Sequence, residues 1–198
     1  MRVRCAMLGS AVLVGIVSLA GLPSQARVLP AANSYSIDPV HSSVAFRIKH
    51  FNIAPFYGQF DDISGSLSFD EADPTKSTLE VSIKVDSVNT HNDKRNGHLK
   101  SPDFFNAAKF PTMTFSSKSF AKASENAYDV AGDLTIHGVT KPITVKLEKT
   151  GAGKMQGQDK IGFASDFTVK RSDFGITFMP DGLGDEVKIM LGLEAGKN

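Results

Sequence analysis

The chain has one cysteine, Cys5, and no tryptophan in its 198 residues. A single thiol excludes disulfide staples, thiolate metal cages and a paired-cysteine redox site. Blocks of like charge are missing too. With 22 Lys and Arg against 21 Asp and Glu, the balance argues against a nucleic-acid binder or a polybasic membrane-surface protein. Long apolar runs are scarce: the main one, from Ala6 to Ala20, has about fifteen residues, short of the roughly 20 that cross a bilayer. Motifs that carry chemistry are likewise wanting. There is no HExxH or His-x-His pair, no GxSxG, no GxGxxG and no P-loop. His91 and His98 are seven residues apart, about 10 Å along a helix, too far to share one metal ion. These absences point away from an enzyme, a metal centre and a cofactor-dependent protein, although a triad of distant residues leaves no local trace.

What is present begins with an export signal. Arg2 and Arg4 precede the apolar run, and Ser24-Gln25-Ala26 sets small residues at the minus-three and minus-one positions, the pattern of a secretory signal peptide. Residues 1–26 are expected to be cleaved after Ala26. Cys5 leaves with them, and removing Arg2 and Arg4 from the 22 basic residues leaves 20 against 21 acidic, a net charge of −1. The mature chain, 27–198, is of a size that commonly forms one domain, periplasmic or secreted.

Its dominant pattern is alternation of apolar and polar positions, the mark of strands wet on one face. It runs through Val44/Phe46/Ile48, Ile63/Leu67/Phe69, Leu79/Val81/Ile83/Val85 and Met113/Phe115. It continues in Tyr128/Val130/Leu134/Ile136, Ile143/Val145/Leu147, Ile161/Phe163/Phe167/Val169 and Val187/Ile189/Leu191/Leu193. Short turns, such as Asp73-Pro74, Gly138 to Pro142 and Gly151-Ala152-Gly153, separate several of these strands, so neighbours are expected to pair antiparallel. A polar, helix-compatible insertion around 91–109 interrupts them. One short helix cannot cover the apolar face of eight strands. Closing the sheet on itself does so and removes its edges, which makes the expected fold all-β: an eight-stranded antiparallel up-and-down barrel, lipocalin-like, with a short helical insertion.

A barrel of eight strands is either just filled by its own side chains or holds one small ligand. The inward positions here are apolar: Phe46, Ile48, Phe60, Leu67, Val81, Ile83, Phe104, Phe105, Phe115, Val130, Leu134, Val145, Phe163, Phe167, Ile189 and Leu191. A dry lumen of this kind suits a long hydrocarbon chain or packs upon itself, and periodicity alone leaves both open.

Several linked motifs narrow the choice. His41-Ser42-Ser43-Val44-Ala45-Phe46-Arg47-Ile48-Lys49-His50-Phe51, Tyr57-Gly58-Gln59-Phe60, and Arg95-Asn96-Gly97-His98-Leu99-Lys100-Ser101-Pro102-Asp103-Phe104-Phe105 followed by Phe110-Pro111 occur in order. Gly132-Asp133-Leu134-Thr135-Ile136-His137-Gly138-Val139-Thr140-Lys141-Pro142 and Arg171-Ser172-Asp173-Phe174-Gly175-Ile176 come next. Together they resemble the YceI-like family of exported, polyisoprenoid-binding proteins, from about Tyr35 to the C-terminus. The resemblance implies a barrel whose elongated cavity holds an isoprenoid or similar amphiphilic lipid, for transport, storage or sensing, and no cofactor beyond that ligand. His41, Arg95 and His98 are candidates for the lipid head group, with His50 also bracketing the first strand. The same residues could instead tie the insertion to the barrel end, for instance through Arg95 with Asp93 or Asp103. His137 to Pro142 reads as a tight hairpin turn and Arg171 to Phe174 as a structural corner. The rival function is a filled barrel that docks on a membrane partner such as an electron-transfer protein, with a homodimer as a further possibility.

Overall fold

The computed structural model describes residues 32–198; the expected signal peptide and the start at Arg27 lie outside them. The strands are β1 (Asn33–Ile37), β2 (Ser43–His50), β3 (Ala54–Phe60), β4 (Ile63–Phe69), β5 (Thr78–Lys84) and β6 (Val88–Asn89). After the helix α1 (Asp93–Leu99) come β7 (Thr112–Lys122), β8 (Ala127–Ile136), β9 (Val139–Met155), β10 (Gln158–Lys170) and β11 (Leu183–Lys197).

These segments make eight staves, because three pairs are single strands with a bend. β1 and β2 ladder with β4 and β3 respectively: Tyr35 lies opposite Leu67, and Phe46 opposite Gly58. In the same way β4 and β3 ladder with β5 and β6, placing Gly65 opposite Val81 and Phe60 opposite Val88. From β7 to β11 each strand pairs with the next, and every pairing is antiparallel. The ring closes where β11 meets the first stave, Ile189 opposite Phe46 and Ala195 opposite Ile37. The protein is therefore the closed eight-stranded barrel expected from its alternation, with its staves in chain order.

The bends have local causes. At the first, the Asp38 carboxylate accepts hydrogen bonds from the amides of Val40 (2.9 Å) and His41 (3.3 Å), an aspartate-capped turn that ends one run of pairing and starts the next. A short 3₁₀ turn over Val85–Ser87 does the same between β5 and β6. The turn expected at Gly151-Ala152-Gly153 is instead extended backbone laddered with β10, and the chain reverses at Gln156-Gly157, which take the positive φ. The hairpin between β8 and β9 turns where expected but more tightly, with 139–142 already in β9. His137 and Gly138 both have positive φ, 52° and 74°, as a two-residue primed turn requires. At Gly138 a side chain is doubly excluded, since a Cβ would also collide with the Phe110 ring.

The interior is filled along only half of its depth. There Phe69 stands edge-on to Tyr128 and to Phe163, 5.3 Å from each, and Leu67, Phe120, Val130 and Leu147 close the space around them. Interiors packed in this way leave few voids larger than a water molecule. The other half, between the β2–β3 hairpin, α1 and the β10–β11 connection, is hollow.

Candidate functional site

The hollow half is a cavity of about 350 Å³, within the range typical of small-molecule sites. Val44, Phe60, Ile83 and Met113 line it, with Phe46 and Phe167 among the larger side chains of its wall. Phe46 lies flat across the neighbouring strand because Gly58 has no side chain; a Cβ there would strike the ring. The glycine thus lets an aromatic residue line the wall instead of filling the space.

Of the sixteen residues expected along one continuous lumen, nine line this cavity: Phe46, Ile48, Phe60, Ile83, Phe104, Phe105, Leu134, Phe167 and Ile189. The other seven do not. Leu67, Val81, Val130, Val145 and Phe163 are buried in the packed core, and Phe115 and Leu191 are half-buried against it. Alternation marks which side chains point inward but carries no information on depth, so the two halves of the barrel looked alike. One half of the lumen is hollow and the other is packed upon itself.

The cover of the cavity comes from two connections. α1 is started by Asn92, whose side chain accepts from the Arg95 amide at 3.0 Å, and it presents Arg95, His98 and Leu99 to the cavity. The β10–β11 connection brings Phe174, Ile176, Phe178 and Met179 over the opening. The sequence held a signal for these four: Phe174-Gly-Ile-Thr-Phe-Met is too apolar for an ordinary solvated loop. Phe178 stacks edge-on against Phe104 and His98, each at 5.3 Å, joining the two covers.

Arg171 anchors the second cover. Nε donates to the Gly184 carbonyl at 3.0 Å, and Nη1 donates to those of Ile176 (2.9 Å) and Phe178 (2.7 Å). Nη2 donates to Leu183 (3.1 Å) and Met179 (3.5 Å). All five donors of the guanidinium are thereby spent on backbone carbonyls of one loop, although burial pushes its pKa down. The adjoining Ser172 donates from its amide and hydroxyl to Asp185, at 2.9 and 2.8 Å. Residues 171–174 form a structural corner, as expected, and Arg171 has no donor left for a ligand.

Polar groups reach the cavity only near the covers. Arg95 does not pair with Asp93 or Asp103. Its Nε donates to Thr90 Oγ1 (2.9 Å) and its Nη2 to the Thr90 carbonyl (2.6 Å), while the guanidinium carbon sits 4.3 Å above the Phe56 ring, a cation–π contact. Nη1 has no hydrogen bond among the described residues. Asp103 bonds instead to His98 Nε2, at 2.9 Å.

His41 is elsewhere and does not line the cavity. It sits on the outer wall at the bend between β1 and β2, with Nδ1 3.1 Å from Asp38 and 3.9 Å from Glu194. The His and two carboxylates form a cluster that could suit a metal ion, but Lys160 already supplies the positive charge, 2.8 Å from Asp38 and 3.5 Å from Glu194. Hydrogen bonds from Lys160 first, then His41, hold the Asp38 carboxyl well below the usual carboxylate range. The same contact with Asp38 raises the pKa of Lys160. The signs set a pH window: the Asp38 contribution is complete above its ordinary value of 3.8 and fades as pH falls below it. That of Lys160 is complete below its ordinary 10.5 and fades as pH rises past it. Replacing Lys160 with Met should therefore lower the melting temperature between about pH 5 and pH 9 and soften its fall below about pH 4. Thermal melts across this range check the effect, and a variant that tracks the parent at every pH would contradict it.

Comparison with known proteins agrees with this architecture. Residues 35–195 match the YceI-like domain. A UPF0312 protein of Pseudomonas aeruginosa is 40% identical over 166 residues, which cover 82% of this chain and 86% of the relative. The crystal structure of Burkholderia cenocepacia BcnA superposes with a TM-score of 0.74 at 28% identity, over 80% of this chain and 98% of BcnA. A polyisoprenoid binding domain from Saccharophagus degradans shares the fold at a TM-score of 0.67 and 20% identity, over 85% of this chain and all of that domain. With the match spanning nearly the whole barrel, the chain belongs to the YceI-like family.

Proposed function

We propose that this protein is an exported binder of a long-chain amphiphilic lipid, a polyisoprenoid or a molecule of similar shape, held with its tail in the hollow half of the barrel. One observation carries the reading: the cavity is lined by aliphatic and aromatic side chains, with Arg95, His98, His50 and Arg171 as its only charged or titratable lining groups among the described residues. A wall of that kind rewards burial of hydrocarbon and offers a polar group nothing to pair with except near the covers. Arg95 Nη1 and His98 are the groups suited to a phosphate, carbonyl or hydroxyl head. Among the described residues the lining contains no Ser, Cys, Asp or Glu, so none of them offers the lumen a nucleophile or a carboxylate base, which favours binding over catalysis. The polyisoprenoid binding domain that shares the fold lends support. Export follows from the segment 1–26, and an intact mass that begins at Arg27 checks it.

Each buried methylene contributes about 0.8 kcal/mol, so a tail of about sixteen carbons gains on the order of 12 kcal/mol against an association cost of roughly 4 to 15. Titrating delipidated protein with a homologous series of prenols or alkyl alcohols should show affinity rising by up to about fourfold per methylene, then levelling once the cavity is full. An affinity independent of tail length would overturn the proposal.

A further inference from the structure

We propose that the cavity mouth is a membrane-docking surface, through which the barrel meets an anionic lipid bilayer edge-on to its opening. The inference rests on the lipid-binding reading above and adds the partner from which the lipid comes.

Seven large apolar side chains are exposed among the described residues, and four of them sit on the two loops at the mouth: Ile53 (85% exposed), Phe51 (48%), Phe178 (39%) and Met179 (38%). They form one rim. Phe51 donates its amide to the Gly182 carbonyl at 2.7 Å, and a Cβ at Gly182 would touch both Met179 and Phe51. Phe178 and Met179 also line the cavity, so the exposed surface is continuous with the apolar interior.

The rim is held in place against backbone preference. Phe51 and Met179 have positive φ, 46° and 58°, a strained region that bulky side chains avoid. Folding alone would favour Asn or Gly at either site. Keeping Phe and Met there, pointing toward solvent, suits contact with an apolar phase. A ligand with a long tail is itself nearly insoluble in water, and transfer across a rim pressed into the head-group region avoids exposing it.

Charge adds a weaker preference. The segment 90–111, which carries the helical cover, contains Lys94, Arg95, Lys100 and Lys109 against Asp93 and Asp103. Lys49, at the base of the β2–β3 hairpin, is exposed as well, while Asp173 and Asp181 in the β10–β11 connection offset part of this excess. The chain as a whole is close to neutral, so the docking force is mainly apolar, with this local excess adding attraction to anionic lipids.

The test is co-sedimentation of the mature chain with vesicles of phosphatidylcholine alone and of phosphatidylcholine mixed with phosphatidylglycerol. The parent should bind both, the anionic vesicles more tightly. Phe51→Asn with Ile53→Asn should reduce binding by about tenfold or more, while its melting temperature stays level or rises, because Asn tolerates positive φ. Uptake of a prenol delivered from detergent should be equal in parent and variant. Equal vesicle binding by the two proteins would overturn the proposal, as would a parent that is a dimer in solution and a variant that is a monomer. If neither protein takes up the prenol yet only the parent binds vesicles, docking stands and the lipid-binding reading falls.

Discussion

Replacing Arg171 with Met should lower the melting temperature by roughly 6 to 12 °C and free the loop that covers the cavity. The side chain is buried, and its five hydrogen bonds all end on carbonyls of residues 176–184. Met fills much of the same volume but donates nothing, so the carbonyls that stay buried lose their partners. Each such group costs about 1–3 kcal/mol; allowing the loop to swing out and rehydrate some of them leaves about 3 kcal/mol. At about 2–4 °C per kcal/mol for a domain of this size, that gives the stated range. Arg171→Lys should recover only part of it, because three donors on one nitrogen cannot reach carbonyls spread along the loop. Hydrogen exchange should accelerate at 176–184 in both variants and remain slow in β7 to β9. A fall of less than about 2 °C for Arg171→Met would mean that the loop is held by its apolar contacts alone.

The second large effect separates the two halves of the barrel. Leu134 on β8 lines the cavity, whereas Val145 on the adjoining β9, equally apolar, sits in the packed core. Leu134→Phe pushes a ring into open space and should change stability by less than about 1 kcal/mol while it obstructs the ligand. Val145→Phe has no space to enter and should cost about 1–3 kcal/mol through overpacking, a drop of roughly 2 to 12 °C in melting temperature, with the cavity left intact. Melting curves and prenol titrations on both variants check this crossed pattern. Similar penalties for the two substitutions would show that the cavity collapses around its walls.

The contrast between these two residues also explains what was legible in the sequence. Alternation located all eight staves because each has one wet face, and the His137-Gly138 turn declared itself through residues that tolerate positive φ. The bends escaped notice. The alternation of Ile63/Leu67/Phe69 marks only the second part of its stave, and the step from β3 to β4 falls at residues 61 and 62. Depth along the lumen was invisible, because whether Phe163 fills the centre or Phe46 hugs the wall depends on a glycine in another strand. His41 was misplaced for a related reason: it begins the first long run of alternation, but the bend at Asp38 puts it on the outer wall beside Lys160. Arg95 and His98 reached the cavity as expected, with partners that sequence spacing did not reveal. For Arg95 those partners are Thr90 and Phe56, brought together by the folding of the insertion upon itself.

Native mass spectrometry of gently purified parent protein and of Leu134→Phe tests the central claim most directly. The account predicts that the parent carries an added mass of several hundred daltons, on the order expected for a long-chain lipid and removable by organic solvent, and that Leu134→Phe, equally folded, carries none. A bare polypeptide mass for the parent, together with no uptake of added prenol, would contradict it and leave the barrel as a scaffold with an empty half.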